Sequence, residues 1–382
     1  MRTLIQRSLF SAAALSTLLI GAAGAETISY ATGYPPNSIG ANAAATYAET
    51  LETLSEGDLK AKVYPMSLLS FSEASGGIRD GMADSGFVLF PYFPSEFPNT
   101  NLVSELTMLL ELEDVPPGEA GLAYMGAMAE YVFHHCPECV KEFADQNQVF
   151  AGASASGPYM LLCNDEVATL DEIKGKRLRS AGAQWARWAE AVGATPVSIS
   201  VSDAYEALNQ GVLDCTISSS VDLDIFKLEE VVEHVTPGVP GGVFGGTGVN
   251  NVNREVWAGL SEPQRKNVLH ATAVLGAVIS WNYQAGAANE LKTAPGKNIQ
   301  VHDTGADLRD ATLAFIREDV KTIAGNYKER YGVEQSARMV DTFQGLLGKW
   351  VKLVDGVEGP EQLAELYWQE TYSKVDVSEY GL

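Results

Sequence analysis

The residues best suited to chemistry form one short cluster, the segment 134–139 with sequence HHCPEC. Cysteine thiolates and histidine nitrogens are zinc ligands, and a CxxC pair can carry out thiol–disulfide exchange. A structural zinc site needs a second pair of ligands at similar spacing, and the sequence supplies none. We therefore expect a structural disulfide and no bound metal here, with a periplasmic metal or redox site as the alternative interpretation.

Other catalytic arrangements are hard to find in this sequence. It contains no GxSxG, HExxH or P-loop motif, and no GxGxxG follows a predicted strand. His270 lies in a helical, mostly apolar segment, where packing is a commoner role than catalysis. Asp222 and Asp224 resemble a glycosidase pair, but 49 acidic residues make such pairs frequent by chance. The sequence predicts neither an enzyme nor a bound cofactor.

The N-terminus has the order of a secretory signal. Arg2 and Arg7 give a positive start, an apolar run covers 9–20, and small residues end at Ala25. We predict a signal peptide over 1–25, cleaved after Ala25, and a protein exported to the periplasm. No later apolar run is long enough to span a bilayer, so stable membrane insertion is not expected.

The charge balance limits the possible partners. The formal net charge of −23 becomes −25 when the two arginines of the signal peptide are removed, because that segment has no acidic residue. A field of this sign repels nucleic acid and anionic lipid, which excludes both as partners. An anionic ligand would also be repelled at long range, so a cation in a dry cleft would have to hold it.

The four cysteines are an even number in a compartment that favours disulfides. Cys136 and Cys139 are neighbours in the CxxC segment, and Cys163 and Cys215 each end an apolar, strand-like run. We favour the pairs Cys136–Cys139 and Cys163–Cys215, although spacing alone does not determine the connectivity.

Two stretches alternate strand and helix patterns, which predicts two α/β domains with largely parallel sheets. In the first stretch we expect strands at 27–31, 59–64 and 85–90 and helices at 42–54 and 73–82. In the second we expect strands at 159–163, 176–179, 196–200 and 213–218 and helices at 184–192 and 203–209.

The remaining segments connect these two units. The Gly- and Pro-rich stretch 236–248 is typical of a crossover between them. Ser261, followed by Glu262 and Pro263, predicts the start of a long helix that continues to about Leu291, and the rest is mainly helical. Domains joined by several crossovers leave a cleft between them where ligands bind.

Two motifs resemble those of a known family. Residues 175–218 read GKRLRSAGAQWARWAEAVGATPVSISVSDAYEALNQGVLDCTIS, and residues 63–86 read VYPMSLLSFSEASGGIRDGMADSG. Both are similar to the DctP-type solute receptors of tripartite ATP-independent periplasmic (TRAP) transporters, as is the loop that contains Pro91-Tyr92-Phe93. The resemblance covers nearly the whole chain after the signal peptide.

This resemblance implies a two-domain periplasmic binding protein of the Venus-flytrap type, with mixed sheets, crossover strands and a long helix that spans both domains. We expect domain I to comprise 26–156 and about 244–290. Domain II is expected to comprise 157–243 and about 291–382, including C-terminal helices. The resemblance also implies TRAP membrane subunits as partners. A sensory receptor for a histidine kinase would share the same motifs and is the alternative.

The resemblance also implies a site. The Arg that ends the GKxxR strand and holds the ligand's carboxylate in the family corresponds to Arg179, and a late polar contact corresponds to Ser218. Charged positions used by some members correspond here to Tyr159 and Leu89, and an aromatic position to Val201. We therefore expect a pocket that has lost acidic and basic partners and gained apolar surface.

Further candidates for this pocket are apolar or aromatic: Phe90, Tyr92, Tyr34, Phe71, Trp185 and Phe244. Together they favour a small-molecule carboxylate with an apolar or aromatic body, because aromatic stacking adds about 0.5–1.5 kcal/mol per pair. A sugar acid needs several buried polar partners. Such partners could still come from Asn37, Gln184, Ser219 or Asn250.

Overall fold

Two mixed β-sheets, each accompanied by helices, carry the fold. The structure is a computed structural model and describes residues 25–113, 115–116 and 118–382. The predicted signal peptide lies outside the described residues except for Ala25, so its cleavage site stays a prediction. The predicted α/β fold class with two mixed sheets is confirmed. The expectation of largely parallel sheets is wrong, because β5 and β10 each pair antiparallel with both of their neighbours.

The strands of the described chain range from two to ten residues. They are β1 (Glu26–Thr32), β2 (Leu59–Pro65), β3 (Ser85–Leu89), β4 (Gln148–Phe150), β5 (Pro158–Cys163), β6 (Arg177–Arg179), β7 (Thr195–Val197), β8 (Cys215–Ser219), β9 (His234–Val243), β10 (Thr247–Asn253) and β11 (Gln300–Val301).

The helices fall into a set that connects the strands and a C-terminal set. They are α1 (Ile39–Leu54), α2 (Ala74–Arg79), α3 (Pro98–Ser104), α4 (Ala120–His134), α5 (Pro137–Asp145), α6 (Leu170–Ile173), α7 (Ala183–Ala191), α8 (Ala204–Asn209), α9 (Asp222–Ile225), α10 (Arg254–Gly259), α11 (Glu262–Thr293), α12 (Ala306–Tyr331), α13 (Ser336–Leu353) and α14 (Pro360–Glu370).

The first sheet has the order β2-β1-β3-β10-β4, and the second has the order β11-β9-β5-β8-β6-β7. In the second sheet β6 runs parallel to both β7 and β8. The carboxyl ends of these three strands therefore lie at one edge, which is where ligands bind in open α/β sheets.

The predicted crossover at 236–248 is confirmed. It consists of β9, which pairs with β5 in the second sheet, followed directly by β10, which pairs with β3 in the first. Gly241 and Gly242 have φ of +81° and +73°, a backbone conformation that glycine adopts without strain. A Cβ atom at Gly241 would lie 2.5 Å from the carboxyl group of Glu111, which would have to move away.

The predicted long helix is confirmed as α11. Ser261 caps it in a capping box with Gln264, which satisfies two of the free backbone N–H groups at its start. The helix packs against α1, α4 and α14, and near its other end the Ala287 carbonyl accepts a hydrogen bond from Ser220 beyond β8. Helix α11 therefore contacts elements of both sheets. No helix in the described part of the chain has the length and apolarity of a membrane span.

The C-terminal segment 371–382, which follows α14, packs beside the first sheet. The Tyr380 hydroxyl donates to the Phe150 carbonyl at 2.8 Å, and the Trp257 indole donates to the Tyr380 carbonyl at 2.8 Å. The Arg265 guanidinium donates to the Val377 carbonyl at 3.1 Å. The segment thus covers apolar surface of the first sheet. The domain boundaries given above stay a prediction.

Both predicted disulfides are confirmed. Cys136 and Cys139, with Cα atoms 5.2 Å apart, are joined at the start of α5. Cys163 and Cys215 are directly paired residues of the antiparallel strands β5 and β8, with Cα atoms 4.0 Å apart. This second bond joins the carboxyl end of β5 to the amino end of β8.

Candidate functional site

A cavity lies between the two sheets. Its walls come from the loop after β1, from β3, β5, β6 and β10, and from α9 and α11. The lining residues are Tyr34, Phe71, Phe87, Leu89, Tyr92, Ser154, Ala155, Ser156, Tyr159, Arg179, Ala181, Val201, Asp222, Phe226, Phe244, Thr247, Ile279 and Tyr283.

Arg179 is the last residue of β6, and its side chain turns into the cavity although the residue is only 1% exposed. Its Nε donates to the Ile199 carbonyl at 3.1 Å, and its Nη2 donates to the Tyr92 hydroxyl at 2.9 Å. Nη1 has no hydrogen-bond partner, and the guanidinium forms no ion pair within the described ranges. A buried charge outside an ion pair is unfavourable, so this group is suited to bind an anion.

Asp222, the first residue of α9, also lines the cavity and is 4% exposed. One carboxylate oxygen accepts from the Ser218 hydroxyl and the other from the Tyr283 hydroxyl, at 3.4 Å for Tyr283. Burial raises the pKa of Asp222 to about 6, opposed by the Ser218 hydrogen bond and by the charge of Arg179. The carboxylate is therefore mostly ionised at neutral pH and can accept a hydrogen bond from a ligand.

The prediction of a pocket without acidic partners is wrong at Asp222. Sequence reasoning dismissed this residue because acids are abundant throughout the chain. A positional signal was present, since Asp222 closely follows β8, which is the parallel neighbour of the strand that ends at Arg179. Residues that follow adjacent parallel strands meet at the same edge of the sheet.

Aromatic side chains form much of the remaining wall. The Tyr34 ring makes edge-on contacts with Phe71 and Phe87, at centroid distances of 5.1 and 5.2 Å. On the opposite side, Tyr159 stacks on Trp185 with centroids 4.4 Å apart. These edge-on and stacked geometries are the favoured ones for aromatic pairs, so the wall is a packed surface rather than a loose one.

The structure brings seven of the ten predicted ligand-binding residues to the cavity. These are Arg179, Tyr159, Leu89, Tyr92, Tyr34, Phe71 and Phe244. Their contact with a ligand stays a prediction.

The other three predicted residues do not line the cavity. Trp185 lies behind Tyr159 and donates its indole N–H to the Gly241 carbonyl at 3.0 Å. Ser218 reaches the cavity only through its hydrogen bond to Asp222.

Phe90 follows Leu89 at the end of β3, where successive side chains point to opposite faces. Its ring therefore packs in the core, with centroids 5.3 Å from those of both Phe97 and Phe143.

Most polar groups in the wall are already bonded within the protein. Thr247 donates to the Ser154 carbonyl at 2.6 Å, and the Ser156 hydroxyl accepts from the Phe244 N–H at 2.9 Å. The four polar side chains considered as alternatives do not line the cavity: Asn37, Gln184, Ser219 and Asn250. Few polar groups in the wall remain free to form hydrogen bonds with the hydroxyls of a sugar.

The HHCPEC segment is remote from this cavity. Cys136 and Cys139 are at most 1% exposed, and His134 Nε2 lies 3.0 Å from the Thr371 carbonyl oxygen. Within the described ranges, no group of three or more His, Cys, Asp or Glu side chains is arranged to hold a metal ion. A buried disulfide that caps a helix has the placement of a structural bond.

Comparison with known proteins extends these findings. Residues 30–326 match the family model for bacterial extracellular solute-binding protein, family 7, called DctP. A solute-binding protein of Albidiferax ferrireducens (strain ATCC BAA-621 / DSM 15236 / T118) is 23% identical over 196 residues. That match covers 51% of this chain and 54% of the relative, so the chain spans about half the length of this curated protein.

Solved structures show the same fold. A marine metagenome TRAP solute binding protein from an unidentified microbe, specific for aromatic acid ligands and co-crystallised with 3-hydroxybenzoate, has a TM-score of 0.72 at 18% identity. It covers 85% of this chain and 99% of its own. DctP7 of Bordetella pertussis, an extracytoplasmic solute receptor binding pyroglutamic acid, has a TM-score of 0.67 at 19% identity, with 84% and 100% covered.

The family match extends over most of the chain and includes both motifs and most of the cavity wall. The matched family consists of solute-binding proteins rather than enzymes, which confirms the prediction that this protein is not an enzyme. The chain therefore belongs to bacterial extracellular solute-binding protein family 7, the DctP family.

Proposed function

We propose that this protein is the periplasmic solute receptor of a TRAP transporter and that it captures an organic carboxylate on Arg179. The observation that carries the proposal is the buried Arg179 guanidinium, which forms no ion pair within the described ranges and lines the cavity between the two sheets. Family membership supports the receptor role, and the signal-like N-terminus supports export.

The hydrogen-bonding capacity of Arg179 fits a carboxylate. A guanidinium has five N–H groups in one plane. One on Nε and one on Nη2 are bonded to Ile199 and Tyr92, so both N–H groups on Nη1 and one on Nη2 remain. A carboxylate matches two of these N–H groups with two parallel hydrogen bonds, which are strong because both partners are charged and water is excluded.

The rest of the cavity indicates what the carboxylate is attached to. The aromatic wall around Tyr34 and Phe71 favours an apolar body. Asp222 favours a hydrogen-bond donor on that body, a hydroxyl or an amide N–H, because its buried carboxylate can accept further hydrogen bonds beside those from Ser218 and Tyr283. We therefore infer a monocarboxylate with a compact apolar body and one donor group.

The ligands of two structural relatives support this class. 3-Hydroxybenzoate joins a carboxylate to a phenol, and pyroglutamic acid joins a carboxylate to a ring amide. A sugar acid fits less well, because Ser154, Ser156 and Thr247 already bond within the protein and would leave sugar hydroxyls unpaired.

Capture would proceed by closure of the two domains around the ligand. The walls that meet the ligand come from both sheets, so a bound acid adds contacts only to the closed arrangement and stabilises it. Membrane subunits that recognise the closed form would then take up the ligand. Co-purification with TRAP membrane subunits, as opposed to a histidine kinase, would separate the transport role from the sensory alternative.

A thermal-shift screen tests the ligand class. Residues 26–382 would be melted with a carboxylate set: benzoate, 3-hydroxybenzoate, mandelate, pyroglutamate and glucuronate, with benzamide as the uncharged control. A ligand at 1,000 times its Kd adds about 4 kcal/mol to the unfolding free energy, which is a clear rise in Tm. The proposal predicts larger shifts for 3-hydroxybenzoate, mandelate or pyroglutamate than for benzoate or glucuronate, and none for benzamide. Equal shifts for benzamide and benzoate would contradict the carboxylate site.

A further inference from the structure

The Tyr92 hydroxyl forms hydrogen bonds across the cavity, from the first sheet to the second. Tyr92 belongs to the short 3-10 turn Phe90–Tyr92 that follows β3 of the first sheet. Its oxygen lies 2.9 Å from Nη2 of Arg179 and 2.9 Å from the backbone nitrogen of Val201. Arg179 ends β6 of the second sheet, and Val201 follows β7 of the same sheet. This one hydroxyl therefore connects the two walls of the cavity beside the Arg179 guanidinium.

The direction of these two hydrogen bonds is fixed by chemistry. A guanidinium and a backbone N–H can only donate, so the Tyr92 oxygen accepts in both bonds and uses both of its lone pairs. The hydroxyl hydrogen is left for another acceptor. Because the oxygen accepts from a cation, its own O–H bond is polarised and becomes a stronger donor.

We propose that Tyr92 is a further ligand-binding residue, which donates its hydroxyl hydrogen to the same carboxylate that Arg179 holds. The inference rests on the proposed function, since it needs a carboxylate at Arg179. The carboxylate is then bound from both domains, by Arg179 on one side and Tyr92 on the other. Tyr92 thereby ties recognition of the acid group to the closed arrangement of the two domains.

A purely positioning role for Tyr92 makes a different prediction. If the hydroxyl only accepts hydrogen bonds from Arg179 and Val201, a more acidic phenol is a weaker acceptor and should weaken ligand binding. If the hydroxyl also donates to the ligand, a more acidic phenol is a better donor and should tighten binding. Incorporation of 3-fluorotyrosine at position 92 separates these roles by the sign of the change.

The experiment measures Kd by isothermal titration calorimetry for the acid of the carboxylate set that gives the largest thermal shift. Tyr92→Phe removes a hydrogen bond to a charged group and should raise Kd about 10- to 100-fold. 3-Fluorotyrosine at position 92 should lower Kd. The control is Tyr380→Phe, which removes a hydroxyl bonded to the Phe150 carbonyl outside the cavity and should lower Tm without changing Kd.

Either an unchanged Kd for Tyr92→Phe or a raised Kd for the 3-fluorotyrosine variant would overturn the role of Tyr92. Arg179→Ala is measured in parallel, because its affinity tests the proposed function separately. If Arg179→Ala binds as the wild type does, the carboxylate site itself is wrong. If Arg179→Ala loses binding and Tyr92→Phe does not, only the inference about Tyr92 fails.

Discussion

Two arginines on consecutive elements of the second domain have opposite surroundings. Arg187 on α7 is bonded by two carboxylates: its Nε and Nη2 lie 2.7 and 2.8 Å from Asp319, and its Nη1 lies 2.7 Å from Glu105. Glu105 also accepts a hydrogen bond from Tyr327. Arg179 on β6 is more deeply buried, yet its bonds go to a carbonyl and a phenol.

The difference indicates a structural role for Arg187 and a binding role for Arg179. The charge of Arg187 is balanced within the chain by Glu105 and Asp319, so the cluster holds α7, α12 and the segment Glu105–Leu112 together. The charge of Arg179 is not balanced by an ion pair within the described ranges, and its side chain lines the cavity. A chain that pairs one arginine with two carboxylates and leaves its more deeply buried neighbour without an ion pair in the described ranges indicates where an external anion binds.

The largest expected effect concerns the stability role of Arg187. Arg187→Ala leaves Glu105 and Asp319 largely buried without their cation, which should lower the unfolding free energy by about 3–4 kcal/mol. Urea denaturation measures this. Arg177→Ala is the matched control, because its partner Asp214 and Arg177 itself are partly exposed, and such pairs contribute about 1 kcal/mol or less. Equal losses in the two variants would remove the distinction between the paired and the unpaired arginine.

The second prediction concerns pH and Asp222, the acidic counterpart of Arg179 in the cavity. The pKa of Asp222 is raised from 3.8 to about 6 in the folded protein. The folded state therefore holds the proton more tightly than the unfolded state, and the contribution of Asp222 to stability rises as pH falls below 6. The full change is about 3 kcal/mol, of which roughly half should be reached by pH 5.

Comparison with Asp222→Asn isolates this contribution. Glu142, whose pKa burial raises to about 7, titrates in both proteins and cancels in the difference. In the absence of ligand, the variant should be more stable than the wild type at pH 7.5, and the gap should narrow at pH 5. A gap that stays constant or widens on acidification would show that Asp222 is not a buried ionised group.

Asp222 should also affect ligand choice. Asp222→Asn replaces a charged acceptor by a neutral one, and the difference is about 1 kcal/mol for one hydrogen bond. The preference for 3-hydroxybenzoate over benzoate should therefore fall about fivefold, measured as the ratio of Kd values. An unchanged ratio would contradict the role of Asp222 as acceptor for the ligand's donor group.

The smallest expected effect concerns the aromatic wall. Phe71→Leu removes one aromatic face from the cavity and should weaken binding of 3-hydroxybenzoate about 2- to 10-fold, with little change for the non-aromatic pyroglutamate. Phe97→Leu is the control, because Phe97 packs in the core with Phe90 and Phe143. Equal losses for both acids in Phe71→Leu would indicate altered packing rather than lost stacking.

The fold could be predicted from local patterns. Ser261 with Gln264 forms a capping box at a helix start that the sequence indicated. Leu59, Ala61 and Val63 alternate with two lysines, and this alternation predicts strand β2. The strand predicted over 196–200 is shorter, Thr195–Val197, because the chain leaves the sheet to bring the Ile199 carbonyl to Arg179.

The site was only partly predictable. Arg179 was found because it ends a motif strand, and its position at the sheet edge follows from that motif. Asp222 was missed because its importance depends on burial, which sequence composition does not show. Phe90 and Leu89 could not be separated either, because a shift of one residue exchanges the two faces of a strand.

The most direct measurement is the affinity of Arg179→Ala for the acid that gives the largest thermal shift, by isothermal titration calorimetry, with Arg187→Ala beside it. Removing the cation from a desolvated pair should cost about 2–5 kcal/mol, which is a loss of roughly 30- to 5,000-fold in affinity. Arg187→Ala should keep its affinity and lose stability. An Arg179→Ala protein that folds and binds the acid as tightly as the wild type would contradict the carboxylate-receptor account.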